Sequence, residues 1–399
     1  MRARTAIVVV LVFCALASAS FYSLTNKPSG SLSVDWTSDT PRPNQLNHHP
    51  IVADRIDGES YILAPVSAVA GENARCKVTM LDSNGTTRWQ YEINESACAV
   101  HGIGDSLIAD ATGDHRPNAV APTTEKRLYV FDAENGSVEW TQNLTSFGYA
   151  GPVVLTAPRR LVVQPAFDGV VFADSADGTL QWKYDLNDTV YAETHVVHVP
   201  GSPNPDVAVG STAKVSVLRP NGTLEWQRSA LATWLAKGRL DQRDILVASG
   251  GKEVTAFTAN GTKLWQRTGI DRPAIDQVTD GDGDGTPEVY VGSGGDTVAA
   301  LNARTGKTEW KTTLSTDAKL LPAPVTGDVN GDGDSEVVAV TNHGTVQVLD
   351  ASSGEVLASH ERKVKVWVHP TVCDIDGDGA DEILVMYGDG RVVELSYHD

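Results

Sequence analysis

Short apolar or alternating runs recur along the whole chain and are cut by turn-forming pairs. After residue 25 no stretch sustains a 3.6-residue period. Runs such as Leu128-Tyr-Val-Phe131 and Val346-Gln-Val-Leu349 end in turns closed by a glycine, and in six of these units a tryptophan stands four residues past the glycine. The pairs are Gly85/Trp89, Gly136/Trp140, Gly178/Trp182, Gly222/Trp226, Gly261/Trp265 and Gly306/Trp310, with tryptophan steps of 51, 42, 44, 39 and 45 residues. A seventh copy, beginning at Gly354, carries Ala358 where the tryptophan would be. Asn-Gly and Asp-Gly tolerate positive φ and join hairpin strands. A further short strand lies upstream of each hairpin, as in Glu288–Gly292 and Glu336–Val340. Each unit therefore predicts about four strands in about 45 residues, the size of one propeller blade. An array of β-sandwiches needs roughly 100 residues per domain.

The ends set the blade number. After the seventh unit, Pro370–Cys373, Ile383–Tyr387 and Val392–Leu395 predict three more strands, and no tryptophan strand follows them. Val34-Asp-Trp36, near the start, resembles Val138-Glu-Trp140. An open sheet edge is a liability. The expectation is an all-β, eight-bladed propeller over 34–399, with the Trp36 strand completing the last blade.

Arg2 and Arg4 precede an uncharged apolar run, and Ala17-Ser18-Ala19 offers a small-x-small cleavage site. Residues 1–24 read equally as a signal peptide or as a single membrane anchor, because the uncharged stretch reaches spanning length. Residues 25–33 read as a linker. Both readings place the propeller outside the cytoplasm, extracellular or at the cell surface. Outside the cytoplasm disulfides persist. Cys76 and Cys98 are expected to pair, with three separate thiols as the alternative, and Cys373 to remain a free buried thiol. Seven Asn-x-Ser/Thr sites, at Asn84, Asn94, Asn135, Asn143, Asn187, Asn221 and Asn260, are glycosylation candidates on an exported chain. Four of them coincide with turn Asn-Gly pairs that hairpin chemistry alone explains.

With 32 basic and 51 acidic residues the net charge is −19, which argues against a nucleic-acid partner. Such a surface suits high salt, where screening weakens self-repulsion. The expected source is a halophilic archaeon; an ordinary acidic secreted protein is the other reading.

Three acidic loops recur in register with the repeat. The first offers Asp280, Asp282, Asp284, the Thr286 carbonyl and Glu288. The second offers Asp328, Asn330, Asp332, the Asp334 carbonyl and Glu336. The third offers Asp374, Asp376, Asp378, the Ala380 carbonyl and Glu382. Oxygens at positions 1, 3, 5, 7 and 9, with Gly at 6, suit Ca²⁺ rather than Zn²⁺. Acidic turns serving solubility are the alternative. Asp110-Ala-Thr112-Gly-Asp114-His-Arg-Pro-Asn118 is a degraded fourth copy, and the loops at Asp54–Asp57 and Asp241–Asp244 are too short to bind.

Two family resemblances rest on these residues. Ala300-Leu-Asn-Ala-Arg-Thr305-Gly306-Lys-Thr-Glu-Trp310 resembles the repeat of PQQ-type quinoprotein propellers, and the segments Asp132–Trp140 and Ala173–Trp182 match it less fully. The acidic loops resemble the calcium loops of FG-GAP, integrin-α-like repeats. The quinoprotein resemblance implies a structural role for the tryptophans, each docked on a neighbouring blade. The chain also resembles the quinoprotein-like propeller that serves as an outer-membrane-barrel assembly lipoprotein.

The expected function is an exported, calcium-binding, non-enzymatic binding or scaffold protein, a monomer whose partner is a protein or a cell-surface glycan. The alternatives are a PQQ-dependent dehydrogenase of alcohols or sugars, and a carbohydrate-binding or carbohydrate-cleaving propeller. No adjacent Cys-Cys pair of the kind found in quinoprotein alcohol dehydrogenases occurs, so PQQ is not expected, and no catalytic residue is assigned.

Overall fold

The computed structural model describes residues 30–40, 47–68, 75–314 and 321–398. Eight four-stranded antiparallel sheets account for every strand among them. Blades one to seven span residues 52–92, 107–143, 153–185, 194–229, 234–268, 278–313 and 325–361. The eighth takes three strands from 371–398 and its outermost strand, Ser31–Thr37, from the start of the chain. Ser31 faces His398, and Trp36 faces Glu394 after a bulge. The closing strand thus begins inside the segment expected as a linker. The segment expected as signal or anchor, 1–24, lies outside the described residues. Among those described, no helix is long and apolar enough to cross a membrane.

First strands of neighbouring blades touch one another, which places them innermost around the ring axis. The core lies between blades: Leu63 and Met80 of the first pack with Ala119 and Phe131 of the second. The tryptophans lock each blade to the next. Each donates its indole N–H to a carbonyl in the following blade's turn: Trp89 to Ala133, Trp140 to Ala176, Trp182 to Pro220, Trp226 to Ala259, Trp265 to Ala303 and Trp310 to Ala351, at 2.6 to 3.0 Å. Each ring also packs on the following turn's glycine, whose positive φ and missing Cβ make the approach possible. Ala358 holds the tryptophan position in the seventh blade. The eighth has no continuous turn there to receive an indole, and instead Gly30 donates its N–H to the Leu357 carbonyl at 3.0 Å.

The turns come in two lengths. Gly136, Gly306 and Gly354 bond back four residues, to Asp132, Asn302 and Asp350. Gly85, Gly178, Gly222 and Gly261 bond back three, to Asp82, Ser175, Arg219 and Thr258. The segment Ala173–Trp182, which matches the repeat less fully, has the shorter turn: Ser175 opens it, and Asp174 stands one residue earlier, buried in the strand. Cys76 and Cys98 form a disulfide, and Cys373 is a free thiol, half-buried rather than fully buried. All seven glycosylation-candidate asparagines are exposed.

Candidate functional site

Two polar centres stand out: the acidic loops, and a cluster on the ring axis. Each acidic loop joins a blade's innermost strand to its second strand. In the first, Asp280 accepts the Gly285 N–H at 2.9 Å, Asp282 the Asp284 N–H at 3.0 Å, and Asp284 the Thr286 N–H at 2.7 Å. The second repeats this chain with Asp328 on Gly333, Asn330 on Asp332 and Asp332 on Asp334. In the third, Asp374 accepts from Gly377, Asp376 from Asp378 and Asp378 from Ala380.

The closing glutamates are buried: Glu288, Glu336 and Glu382 expose 1%, 5% and 4%. One oxygen of each accepts a backbone N–H, from Gly281, Val329 and Ile375 respectively. Oε1 of Glu288 and Oδ1 of Asp328 are buried with no hydrogen-bond partner. Burial pushes the three glutamates up to about 8, 7 and 7, with the loop aspartates adding to the rise. The pairing register puts Tyr61, Leu161 and Ile245 at the same position in blades one, three and five, which lack the loop, and in blade four, which also lacks it, a buried Asp206 with neither oxygen partnered.

Ligand oxygens of Asp280, Asp282 and Glu288 gather within 4.8 Å of one another, as do those of Asp374, Asp376 and Glu382. In the second loop the Asn330 amide donates to Glu336 at 2.8 Å. Asp284 and Asp378 fall outside these groups, exposed at the loop tips, as is Asp332. Thr286 and Ala380 are half-buried and Asp334 is exposed. The donor set fits a hard cation held by oxygen. The second and third loops are tied together: Asp381 accepts the Asp328 N–H at 3.0 Å and donates its own to the Asp328 carbonyl at 2.7 Å.

The degraded fourth copy is built differently. Asn118 accepts the Ala111 N–H at 2.8 Å, the role the glutamates fill elsewhere, without a charge. Arg160, from the neighbouring blade, sets its guanidinium 3.2 Å from the Asp110 carboxylate. A side-chain cation thus stands beside this loop. The loops at Asp57 and Asp241 are two-residue hairpin turns.

Sequence reading missed the axial cluster. Asp105, Glu193, Asp276 and His369 lie just before the first strands of blades two, four, six and eight. They line one cavity of about 290 Å³. Asp105 is engaged by His49 at 2.7 Å, and His49 by His101 at 3.1 Å. His369 Nε2 lies 3.8 Å from Glu193 and 3.7 Å from Asp276, and its Nδ1 is 2.9 Å from the Pro370 carbonyl. Burial opposes the charged imidazole, but Asp276 and Glu193 outweigh it and push His369 up to about 10. Burial raises Asp276 to about 6, whereas His369 holds Glu193 below the usual range against burial. Aromatic side chains rim this end of the axis, with Trp367 stacked on His48 and Tyr149 edge-on to Tyr191. The available signal was an ionisable residue before every second innermost strand, readable only once those strands are placed.

Several solved structures share the fold. BamB from Moraxella catarrhalis superposes with a TM-score of 0.64 at 18% identity, over 92% of this chain and 97% of that one. The quinohemoprotein alcohol dehydrogenase ADHIIG from Pseudomonas putida HK5 gives 0.64 at 12% identity, over 94% and 77%. The computationally designed Ika8 protein gives 0.63 at 15%, over 91% and 99%. At these identities the likeness is one of fold. A comparison with curated proteins gives no match. The family profile described as outer membrane protein assembly factor BamB matches residues 74–282 and 250–399, and this PQQ-like propeller chain belongs to that family.

Proposed function

We propose that the protein is an exported propeller that holds calcium in the loops of its last three blades. It acts as a non-enzymatic binding scaffold at the cell surface, for a protein or glycan partner. The observation that carries the reading is the trio of buried glutamates. A buried carboxylate is costly unless a cation meets it. Blades one, three and five fill this position with Tyr, Leu and Ile, blade two with Asn118, and blade four buries Asp206 there without such a loop, so what sets the three glutamates apart is the group of loop oxygens beside them. The orphaned oxygens of Glu288 and Asp328 mark where that cation is missed most. The family's description as an assembly factor supports a binding role rather than turnover.

The test passes cell-envelope extract over the immobilised full chain, in millimolar calcium and in chelator, at fixed high salt. A component should be retained in calcium and lost in chelator. It should also be lost on the triple variant Glu288→Gln, Glu336→Gln, Glu382→Gln. Calorimetry showing no calcium binding would remove the metal assignment. Steady dye reduction dependent on added quinone cofactor would replace the scaffold with a dehydrogenase.

A further inference from the structure

We infer that Glu193, Asp276 and His369 form a binding site for one divalent transition-metal ion, Zn²⁺ or Mn²⁺, on the ring axis and apart from the acidic loops. The three ligand atoms lie within 4.8 Å of one another. His369 Nε2 is 3.7 and 3.8 Å from the two carboxylates, too far for hydrogen bonds. Two ligands about 2.1 Å from a shared ion stand about 3.4 Å apart at a tetrahedral angle, so a small contraction completes the set.

The His369 ring is already oriented for the task. Its Nδ1–H donates to the Pro370 carbonyl, which puts Nε2 on the side of the carboxylates; in the empty site Nε2 carries the imidazolium's second proton, which an incoming metal ion displaces. Ligating histidines are fixed by such a second hydrogen bond. His369 and Asp276 are largely buried, each with 12% of the side chain exposed. The fourth axial acid, Asp105, is turned to His49 and does not compete. One imidazole with two carboxylates selects a borderline metal over Ca²⁺, which takes oxygen ligands alone. Three protein ligands leave a coordination position open to the cavity. The ligands come from the connections before blades four, six and eight, so one ion would tie together alternate blades across the axis.

The test is calorimetric titration of the full chain with ZnCl₂, then MnCl₂, in saturating calcium so that the loops are filled. One ion per chain is expected, with affinity falling at least tenfold in His369→Ala and in Asp276→Asn. The triple glutamine variant of the loops should keep it, which separates this site from the calcium reading. No binding, or binding unchanged in His369→Ala, overturns the proposal. Should those variants fail to fold, zinc-edge X-ray absorption of the wild-type protein decides. One imidazole with oxygen neighbours supports the site. Two or more imidazoles would place the ion among His48, His49 and His101, and a sulfur neighbour at Cys373; either result overturns it.

Discussion

Trp36 packs against Gly85 so closely that a Cβ on the glycine would fall 2.2 Å from the indole ring. One residue belongs to the last blade and the other to the first, so this contact seals the ring. It follows the pattern of the other six tryptophan–glycine contacts with one difference: the Trp36 indole N–H is buried and finds no acceptor.

Gly85→Ala should therefore open the seam. At φ +77 it takes the left-handed strain of about 1 kcal/mol and adds an overpacking cost of roughly 1–3 kcal/mol. Gly58→Ala, at φ +85 with nothing within 4 Å, takes the strain alone and serves as the control. Trp36→Ala should cost roughly 3 kcal/mol. Denaturant unfolding of the three variants reads these differences. Equal losses in Gly85→Ala and Gly58→Ala would show that the indole contact does not bear on closure.

Calcium should raise the melting temperature at fixed high salt. Binding to the folded state alone adds RT ln(1 + [L]/Kd), about 2.7 kcal/mol at a hundredfold excess. The triple variant Glu288→Gln, Glu336→Gln, Glu382→Gln should lose that gain. In chelator it should melt at or above the wild type, because it no longer buries three carboxylates. Thermal melts across a calcium titration check both signs. A variant that keeps the full calcium gain would move the ion elsewhere.

Asp174 should make stability fall as pH rises from about 4 to about 7. It is fully buried, neither oxygen has a hydrogen-bond partner, and burial pushes its carboxyl up to about 7. The pairing register gives the same position to Leu81, Phe131, Leu218, Phe257, Leu301 and Leu349 in other blades. Unfolded, an aspartate titrates near 3.9. Below that value both states are protonated and nothing is lost. Between about 4 and 7 the unfolded state ionises while the folded state holds its proton, so stability drains away as pH rises. Asp174→Leu should raise the melting temperature at pH 7.5 and change it much less at pH 4.5, measured in saturating calcium. An equal shift at both pH values would mean that titration plays no part.

The ring, its blade count and its closure were legible because they rest on local chemistry that repeats. Gly136 and Trp140 announce a hairpin and its lock wherever the pattern recurs, and the orphan Trp36 points to the gap it fills. The acidic loops were legible for the same reason. The axial residues were not: Glu193, Asp276 and His369 sit in connections that share no motif, and only the ring brings them together. The burial of Asp174 was not legible either: Asp132 and Asn302 open five-residue turns, whereas Ser175 opens one of four, which leaves Asp174 inside the strand. A one-residue difference moves a carboxylate from solvent to core.

The closing strand has a mechanical consequence. It runs antiparallel to the last strand, with Ser31 opposite His398, so the first residue of the closing strand and the last residue of its partner lie at the same edge of the blade. Tension applied through residues before Ser31 would first break the Gly30–Leu357 hydrogen bond and then load the Ser31–His398 pair alone. The strand would peel in sequence, one pair at a time, rather than shear as a unit. Tension along the chain would thus meet its weakest resistance at the seam, and the other seven blades would stay folded while the eighth gave way.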